Sequence, residues 1–150
     1  MVILGIDPGS SLIGYGAVRK DRGKFSCLEY GAIKIKAKET GLRLMEVRES
    51  LVKLIEKIKP DQVVLERLFF FKNRKTVLAV SETRGVIILT LSQRNIPYFE
   101  VAPLELKKSI TSYGRASKGN VQKMVKLLLN LEKEPKPDDA ADALALAILG

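Results

Sequence analysis

The stretch Val2-Ile3-Leu4-Gly5-Ile6-Asp7-Pro8-Gly9-Ser10 stands near the start of the sequence and decides how the chain folds. Its uninterrupted apolar run, residues 2–6, is typical of a central strand that is buried on both faces of a sheet. Pro8 and Gly9 follow at once and end that strand in a turn. Asp7 is therefore predicted to lie at the carboxyl end of a buried strand, the edge where open α/β sheets usually hold ligands.

A second acidic residue ends a second apolar run. Glu66 directly follows Val63-Val64-Leu65. A carboxylate at the end of a buried strand is costly unless it is paired with a cation or coordinated. Glu66 is therefore a second candidate for the same edge of the sheet.

A third acidic group lies in the sequence Pro137-Asp138-Asp139-Ala140-Ala141-Asp142. Asp142 is three residues from Asp139 and four from Asp138, and either spacing places two carboxylates on one helix face. Spacing alone does not choose between the two pairs. One of Asp138 and Asp139 is expected to be the helix N-cap, because Asp is favoured there. The alanines around them allow this helix to pack close to the sheet, which would aim its acids at the strand ends.

The amino-acid composition limits the class of protein and the kind of partner that the chain can have. The chain has 150 residues, which suits a single domain over 1–150, and 46% of them are hydrophobic, enough for a core. Lys and Arg outnumber Asp and Glu by 26 to 17, and the net charge of +9 indicates a polyanionic partner. Charge alone fits both nucleic acid and an anionic membrane surface. No apolar run approaches the roughly 20 residues of a membrane span, and Asp7 interrupts any signal-peptide pattern.

The residue types that are rare or missing also carry information. Cys27 is the single cysteine, so no internal disulfide forms and a reducing cytoplasm is expected. The chain has no histidine, so catalysis must rest on carboxylates, lysines or hydroxyls. Carboxylate oxygens favour Mg²⁺ or Mn²⁺ over Zn²⁺. Acids at three separated points of a strongly basic chain are best explained by a metal site that cuts nucleic acid.

The order of apolar patterns predicts an α/β fold. The first three strands form an antiparallel meander, and the fourth runs parallel to the first because a helix precedes it. The predicted strands are 2–7, 13–19, 24–36, 62–66 and 98–101. The predicted helices are 42–59, about 75–94, 104–110, 121–131 and 138–149. The result is one mixed five-stranded sheet, three antiparallel strands then two parallel, with helices on both faces.

Three motifs in this order resemble one family. The first is the opening stretch through Asp7, the second is Glu66 followed by Phe69, Lys72 and Asn73, and the third is Asp139-Ala-Ala-Asp142-Ala-Leu-Ala. Together they closely resemble the RuvC family of Holliday-junction resolvases, within the ribonuclease H-like nuclease fold. The resemblance covers nearly the whole chain and favours Asp139 over Asp138.

The resemblance implies a Mg²⁺-dependent endonuclease of recombination and repair. Asp7, Glu66, Asp139 and Asp142 would be catalytic and would hold two Mg²⁺ ions, for which Mn²⁺ can substitute. In such a site one ion activates a water and the other neutralises the departing 3′ oxygen. Symmetric paired nicks would leave 5′-phosphate and 3′-hydroxyl ends on a four-way junction.

Basic and aromatic residues complete the expected site. Lys107 and Lys118 match lysines that the family places near the active site, where they would neutralise transition-state charge; the alternative is a solvated surface lysine. Phe69 matches the family's position for stacking on opened bases, which leaves Phe70 and Phe71 for the core or an interface. Arg84 is expected to contact DNA or to brace a dimer. The full set expected to bind DNA is Phe69, Lys72, Asn73, Arg74, Lys75, Arg84, Lys108 and Arg115.

The partners follow from symmetry and from the resemblance. A four-way junction offers two equivalent strands, which a twofold homodimer would cut together. The helix that forms the dimer interface is expected within 75–91, because this segment has more apolar side chains than one core-facing side of a helix can bury. These side chains are Val77, Val80, Val86, Ile87 and Leu91. The branch-migration proteins RuvA and RuvB are expected partners by resemblance, and no membrane is expected.

Three other functions compete with this interpretation. A ribonuclease H or a related RNA-processing nuclease would use similar acids. The Asp7-Pro8-Gly9-Ser10 turn also resembles the phosphate loop of actin-like ATPases and sugar kinases, which need two such domains. A DNA-binding module without activity would leave four clustered acids to repel one another without a metal.

Overall fold

The computed structural model describes residues 1–68, 74–112 and 114–150, with the side chains of Arg74, Lys75 and Lys118 left out of that description. The strands are β1 (Val2–Asp7), β2 (Leu12–Asp21), β3 (Lys24–Lys34), β4 (Gln62–Glu66) and β5 (Tyr98–Val101). The helices are α1 (Thr40–Ile58), α2 (Arg74–Gln93), α3 (Pro103–Thr111), α4 (Lys118–Leu128) and α5 (Asp138–Ile148).

The five strands form one mixed sheet in the order β3-β2-β1-β4-β5. β2 pairs antiparallel with both β1 and β3, and a bulge between Ala17 and Val18 shifts the register of the second pair. β4 pairs parallel with β1 and with β5. The predicted sheet of three antiparallel strands followed by two parallel ones is confirmed.

Helices cover both faces of this sheet, as predicted. Successive residues of a strand face opposite sides, so β1 contributes to two cores. Ile3 packs with α3, α4 and α5 on what we name the α5 face. Leu4 and Ile6 pack with α1 and α2 on what we name the α1 face. β1 is therefore buried on both sides, which explains its uninterrupted apolar run.

Element ends differ from the predictions by a few residues, for local reasons. α1 begins at Thr40 rather than Leu42, because the carboxylate of Glu39 accepts hydrogen bonds from the backbone of Gly41 and Leu42. β3 ends at Lys34 rather than Lys36, because its partner β2 begins at Leu12, the residue opposite Lys34. The backbone beyond Lys34 thus leaves the sheet in an extended form.

A buried arginine joins three parts of the α1 face. Arg43 is almost fully buried, and its Nη1 donates to Ser10 O, Ala79 O and Thr83 Oγ1 at 3.3, 3.3 and 3.0 Å. Its Nη2 also forms an ion pair with Glu82 on α2 at 2.5 Å. A buried guanidinium is stable only with this degree of pairing. Arg43 therefore connects the turn after β1 to the first half of α2.

Candidate active site

Two of the predicted acids stand side by side at the carboxyl ends of neighbouring parallel strands. Ile6 of β1 lies opposite Leu65 of β4, and Asp7 and Glu66 are the next residues along each strand. Ile3 and Val64 pack on the α5 face, and side chains alternate along a strand, so Asp7 and Glu66 face α5 as well. The topology places both carboxylates on one face and at one edge of the sheet.

Glycines bring α5 to that same edge. A Cβ atom added to Gly5 would lie 1.8 Å from Ala143 O, and one added to Gly14 would lie 2.2 Å from Asp139 O. Gly14 is the residue of β2 opposite Asp7. The helix backbone therefore rests directly on the strand backbone, which seats Asp139 beside the end of β1. The close packing predicted from the alanines of α5 is confirmed, although the glycines of β1 and β2 are equally necessary.

The four carboxylates interact electrostatically. The pKa of Asp7 is raised well above its usual value, chiefly by burial. The charge of Glu66, the hydrogen bond between the Asp7 and Glu66 carboxyl groups, and the charges of Asp142 and Asp139 add to that rise. Acids arranged this way oppose one another's ionisation unless a cation is present. A divalent cation therefore fits the chemistry of this donor set, which offers carboxylate oxygens of the kind Mg²⁺ prefers.

The acids border an open cleft. Asp7, Glu66 and Asp142 line a cleft of about 290 Å³ together with Arg84 and Lys107. Among the described residues no three acidic side chains are gathered tightly enough to form a complete metal cage. The cleft therefore offers both anionic ligands for a metal ion and cations for a phosphate, the combination that phosphodiester chemistry requires.

The structure separates Asp138 from the other acids. The Nε2 atom of Gln122 on α4 donates to Oδ1 of Asp138 at 2.5 Å. This bond turns Asp138 toward α4, while Asp139 faces β2. The expectation that one of these aspartates caps α5 is wrong: Pro137 is the N-cap, and no side chain caps the helix. Asp138 and Asp139 occupy the first turn of α5, where the helix dipole favours negative charge without a capping bond.

The predicted basic residues are distributed around the cleft. Lys107, on α3, lines it, whereas its neighbour Lys108 is exposed outside the lining set. Arg115 is exposed in the turn before α4, and Lys118 is the first residue of that helix. Arg74 and Lys75 begin α2. The predicted contacts of Phe69, Lys72 and Asn73, and the packing of Phe70 and Phe71, lie outside the described residues.

Sequence reasoning missed the partner of Arg84. The Nε atom of Arg84 donates to Oε1 of Glu100 at 2.7 Å, and its Nη2 pairs with the same oxygen. Glu100 is the third residue of β5 and faces α2. This ion pair holds the Arg84 guanidinium at the cleft. The available signal was a third acid near the end of a predicted strand, in Tyr98-Phe99-Glu100-Val101.

Comparison with known proteins identifies the family. The family model described as Crossover junction endodeoxyribonuclease RuvC matches residues 3–150. The chain belongs to the RuvC family. A RuvC relative from Petrotoga mobilis is 52% identical over 98% of this chain and 91% of its own length. A second relative, from Halothermothrix orenii, is 47% identical over 99% of this chain and 90% of its own length.

A solved RuvC structure shares the fold. The structure of Thermus thermophilus RuvC in complex with a Holliday junction substrate aligns with a TM-score of 0.89 at 28% identity. The alignment covers 99% of this chain and 91% of that one. The ribonuclease H-like fold predicted for this chain is thereby confirmed. RuvC proteins are nucleases that depend on divalent metal, so family membership favours neither an actin-like ATPase nor a binding module without activity.

Proposed function

We propose that residues 1–150 form a single nuclease domain that cuts four-way DNA junctions by symmetric paired nicks. The observation that carries this proposal is the convergence of Asp7, Glu66 and α5 on one edge of the sheet, in a chain of the RuvC family. The products would be 5′-phosphate and 3′-hydroxyl ends, as needed for resolving junctions in recombination and repair. The likeness to a RuvC solved with a Holliday junction supports the substrate.

Asp7, Glu66, Asp139 and Asp142 would hold two Mg²⁺ ions, with Mn²⁺ as a substitute. When bound, such ions activate water and stabilise both the attacking and the leaving oxygen. The fold would position the four ligands. The ends of β1 and β4 carry Asp7 and Glu66, and the close contact of Gly5 and Gly14 with α5 holds the helix that carries Asp139 and Asp142. The raised pKa of Asp7 supports this assignment, because a bound cation would offset both the burial of the carboxylate, which is the main cause of the rise, and its repulsion by the neighbouring acids.

Two lysines would neutralise charge on the phosphate. Lys107, on α3, lines the same cleft as Asp7, Glu66 and Asp142, so its ammonium would be available to a phosphodiester bound there. Lys118, at the start of α4, would have the same role by family resemblance. A cation placed where charge builds up in the transition state accelerates the reaction without a proton transfer.

The remaining contacts would orient the junction. Phe69 would stack on an opened base, and Arg84, held by Glu100, would bind a phosphate beside the cleft. The other residues of this group are Lys72, Asn73, Arg74, Lys75, Lys108 and Arg115. The net charge of +9 supports a large phosphate contribution to binding.

A homodimer built on α2 would present two active sites to the two equivalent strands. The structure buries Ile87 and Leu91 completely in its own core, so the predicted surplus of apolar side chains does not include them. Leu78 and Leu89 are instead 70% and 55% exposed, and Gly85 between them has open space around it. These three residues lie on one face of the helix, which suits close approach of a second α2.

We expect Leu89→Glu to dissociate this dimer. A buried charge at the centre of an interface costs at least about 2 kcal/mol, so the dimer dissociation constant should rise at least about 30-fold. Sedimentation equilibrium measures it. Leu127→Glu on α4 is the matched control, since Leu127 is 70% exposed and lies on another helix. A Leu89→Glu protein that stays dimeric at micromolar concentration would place the interface elsewhere.

The proposed partners in the cell are RuvA and RuvB, which would supply junctions by branch migration. We place the protein in the cytoplasm, where the single Cys27 stays reduced. No helix in the described part of the chain is both long and apolar enough to cross a membrane.

The proposed activity is tested by cleavage of a labelled synthetic four-way junction with Mg²⁺ and with EDTA. Duplex DNA and an RNA–DNA hybrid serve as controls. The expected result is paired symmetric nicks, in the junction only and only with Mg²⁺. Cleavage of the hybrid would indicate a ribonuclease, tight junction binding without any nick would indicate a binding module, and ATP turnover without cleavage would indicate an ATPase.

A further inference from the structure

Three exposed lysines form a row where the chain leaves β3. Lys34, Lys36 and Lys38 are exposed, and they alternate with Ile35 and Ala37, which are buried and half-buried. This alternation is that of an extended chain, in which every second side chain lies on one side. We name Lys34, Lys36 and Lys38 the lysine row.

The lysine row lies at the same edge of the sheet as the acids. β1 and β3 both pair antiparallel with β2, so they run in the same direction and their carboxyl ends share an edge. Ile33 and Ile35 pack on the α1 face. Lys34 and Lys36 therefore face the opposite side, the α5 face, which also carries Asp7 and Glu66.

The register of β1, β2 and β3 gives the approximate distance between Asp7 and the lysine row. Asp7 lies opposite Gly14, and Gly14 lies opposite Ala32, two residues before Lys34. Two strand spacings across and two residues along place the Lys34 Cα roughly 12 Å from the Asp7 Cα. Successive lysines of the row follow at about 7 Å. That repeat is close to the distance between neighbouring phosphates of a nucleic-acid strand.

The backbone of the row is fixed before any ligand binds. The carboxylate of Glu46 on α1 accepts hydrogen bonds from the backbone of Lys36 and Ala37 at 2.9–3.1 Å. Ile35 N donates to Ser11 O at 2.9 Å. These bonds keep the segment extended, so the entropy cost of ordering it is already met.

The ammonium groups of the row remain available to an anion. The ion pairs found in the described part of the chain use other cations, namely Arg43, Lys57, Arg84 and Arg94. The two acids beside the row are occupied by backbone donors, since Glu46 binds Lys36 and Ala37 and Glu39 binds Gly41 and Leu42. The row thus presents three exposed charges with a regular spacing, of which Lys36 also interacts electrostatically with the Glu46 carboxylate.

We propose that the lysine row binds the phosphate backbone of the DNA arm that leaves the cleft on the β3 side. The inference rests on the proposed function, because it places the scissile phosphate at Asp7. A strand cut there continues along the same face of the sheet and meets Lys34, Lys36 and Lys38 in turn. The row binds and orients DNA by charge and reads no base sequence.

The test compares two triple variants of equal charge. Lys34→Gln, Lys36→Gln and Lys38→Gln are combined in one protein. Lys24→Gln, Lys53→Gln and Lys59→Gln are combined in the control. Lys24, Lys53 and Lys59 are exposed; Lys24 is the first residue of β3 and Lys59 precedes β4, so both lie at the opposite edge of the sheet from the acids. Junction affinity is measured in EDTA by fluorescence anisotropy across a series of salt concentrations.

The row variant should bind the junction about tenfold more weakly at physiological salt. The slope of log K against log salt should become shallower by about 2–3, since each lost phosphate contact removes roughly 0.9. The control variant should keep nearly the wild-type slope. With Mg²⁺ and saturating junction, both variants should cut at the wild-type single-turnover rate.

Equal slopes for the two variants would overturn the proposal, because the row would then contribute only general charge. A row variant with normal affinity and a slow saturated rate would overturn it too. Failure of the proposed function is distinguishable, since it would appear in the wild-type protein as no preference for the junction and no cleavage.

Discussion

Asp7→Asn will abolish junction cleavage, by at least about 10³-fold in the single-turnover rate, while junction binding survives. Asp7 is the carboxylate that the other three acids act upon, and it lies beside Glu66 at the centre of the sheet edge. Asparagine keeps the shape of the side chain but removes the charge that a metal requires. Rates are measured with Mg²⁺ at saturating junction, and binding is measured in EDTA.

The same substitution should stabilise the metal-free protein. Burial and the neighbouring acids hold the pKa of Asp7 in the folded protein well above its usual value, so as pH rises the native state keeps a proton that the unfolded state has already lost. Stability therefore falls as pH rises from about 4 through the folded pKa, and the cost remains at neutral pH. The substitution Asp7→Asn removes this decrease in folding stability with rising pH. In EDTA its Tm should exceed the wild-type Tm at pH 7, and the difference should shrink toward pH 4.

Magnesium supplies the control for that interpretation. Mg²⁺ binds the native state and should raise the Tm of the wild type more than that of Asp7→Asn. A variant that loses junction binding along with cleavage would show that Asp7 supports the DNA-binding surface. A variant whose Tm in EDTA is no higher than the wild-type value would contradict the electrostatic account.

Gly14→Ala will impair catalysis without touching any carboxylate. The added Cβ would lie 2.2 Å from Asp139 O and 2.8 Å from Asp139 Cβ, so the start of α5 must move away from the sheet. Displacements of about 1 Å in a catalytic group cost on the order of 10²-fold in rate, and overpacking costs about 1–3 kcal/mol of stability. The single-turnover rate and the Tm report the two effects.

Gly41→Ala is the matched control for this change. Its Cβ would meet only the flexible Glu39 carboxylate at 3.4 Å, an ordinary contact, and it lies in the first turn of α1. It should keep both the rate and the Tm near wild type. A Gly14→Ala protein with a normal rate would show that the spacing of α5 from β2 is not what positions Asp139.

Sequence patterns were sufficient where one local cause decides the structure. The apolar run before Asp7 and the run before Glu66 fix two buried parallel strands, because such runs are stable only between two layers of helices. The helix over 138–148 follows from alanine and leucine content. These three elements carry all four acids, which is why the acidic edge was predictable from the residues themselves.

Other features depend on partners that are distant in sequence. Spacing left the choice between Asp138 and Asp139 open, and the expectation of Asp139 rested on resemblance. In the structure Gln122 binds Asp138 and Gly14 lies against Asp139, two contacts that no spacing predicts. The pairing of Arg84 with Glu100 joins a helix to an edge strand. The placement of the lysine row beside the acids depends on the pairing of β3 with β2 and on the packing of Ile33 and Ile35 against the α1 face. The short-range periodicity of a sequence does not predict contacts between residues that are far apart along the chain.

Arg43 has a consequence for how far apart two cuts can fall. Its guanidinium bonds the turn after β1 and the backbone and side chains of α2 into one body. In a dimer that pairs through α2, each Asp7 is therefore held at a set distance from the symmetry axis. The two active sites of such a dimer would stand at a fixed separation, so a bound junction would have to adopt the arm geometry that brings its two scissile phosphates to that separation.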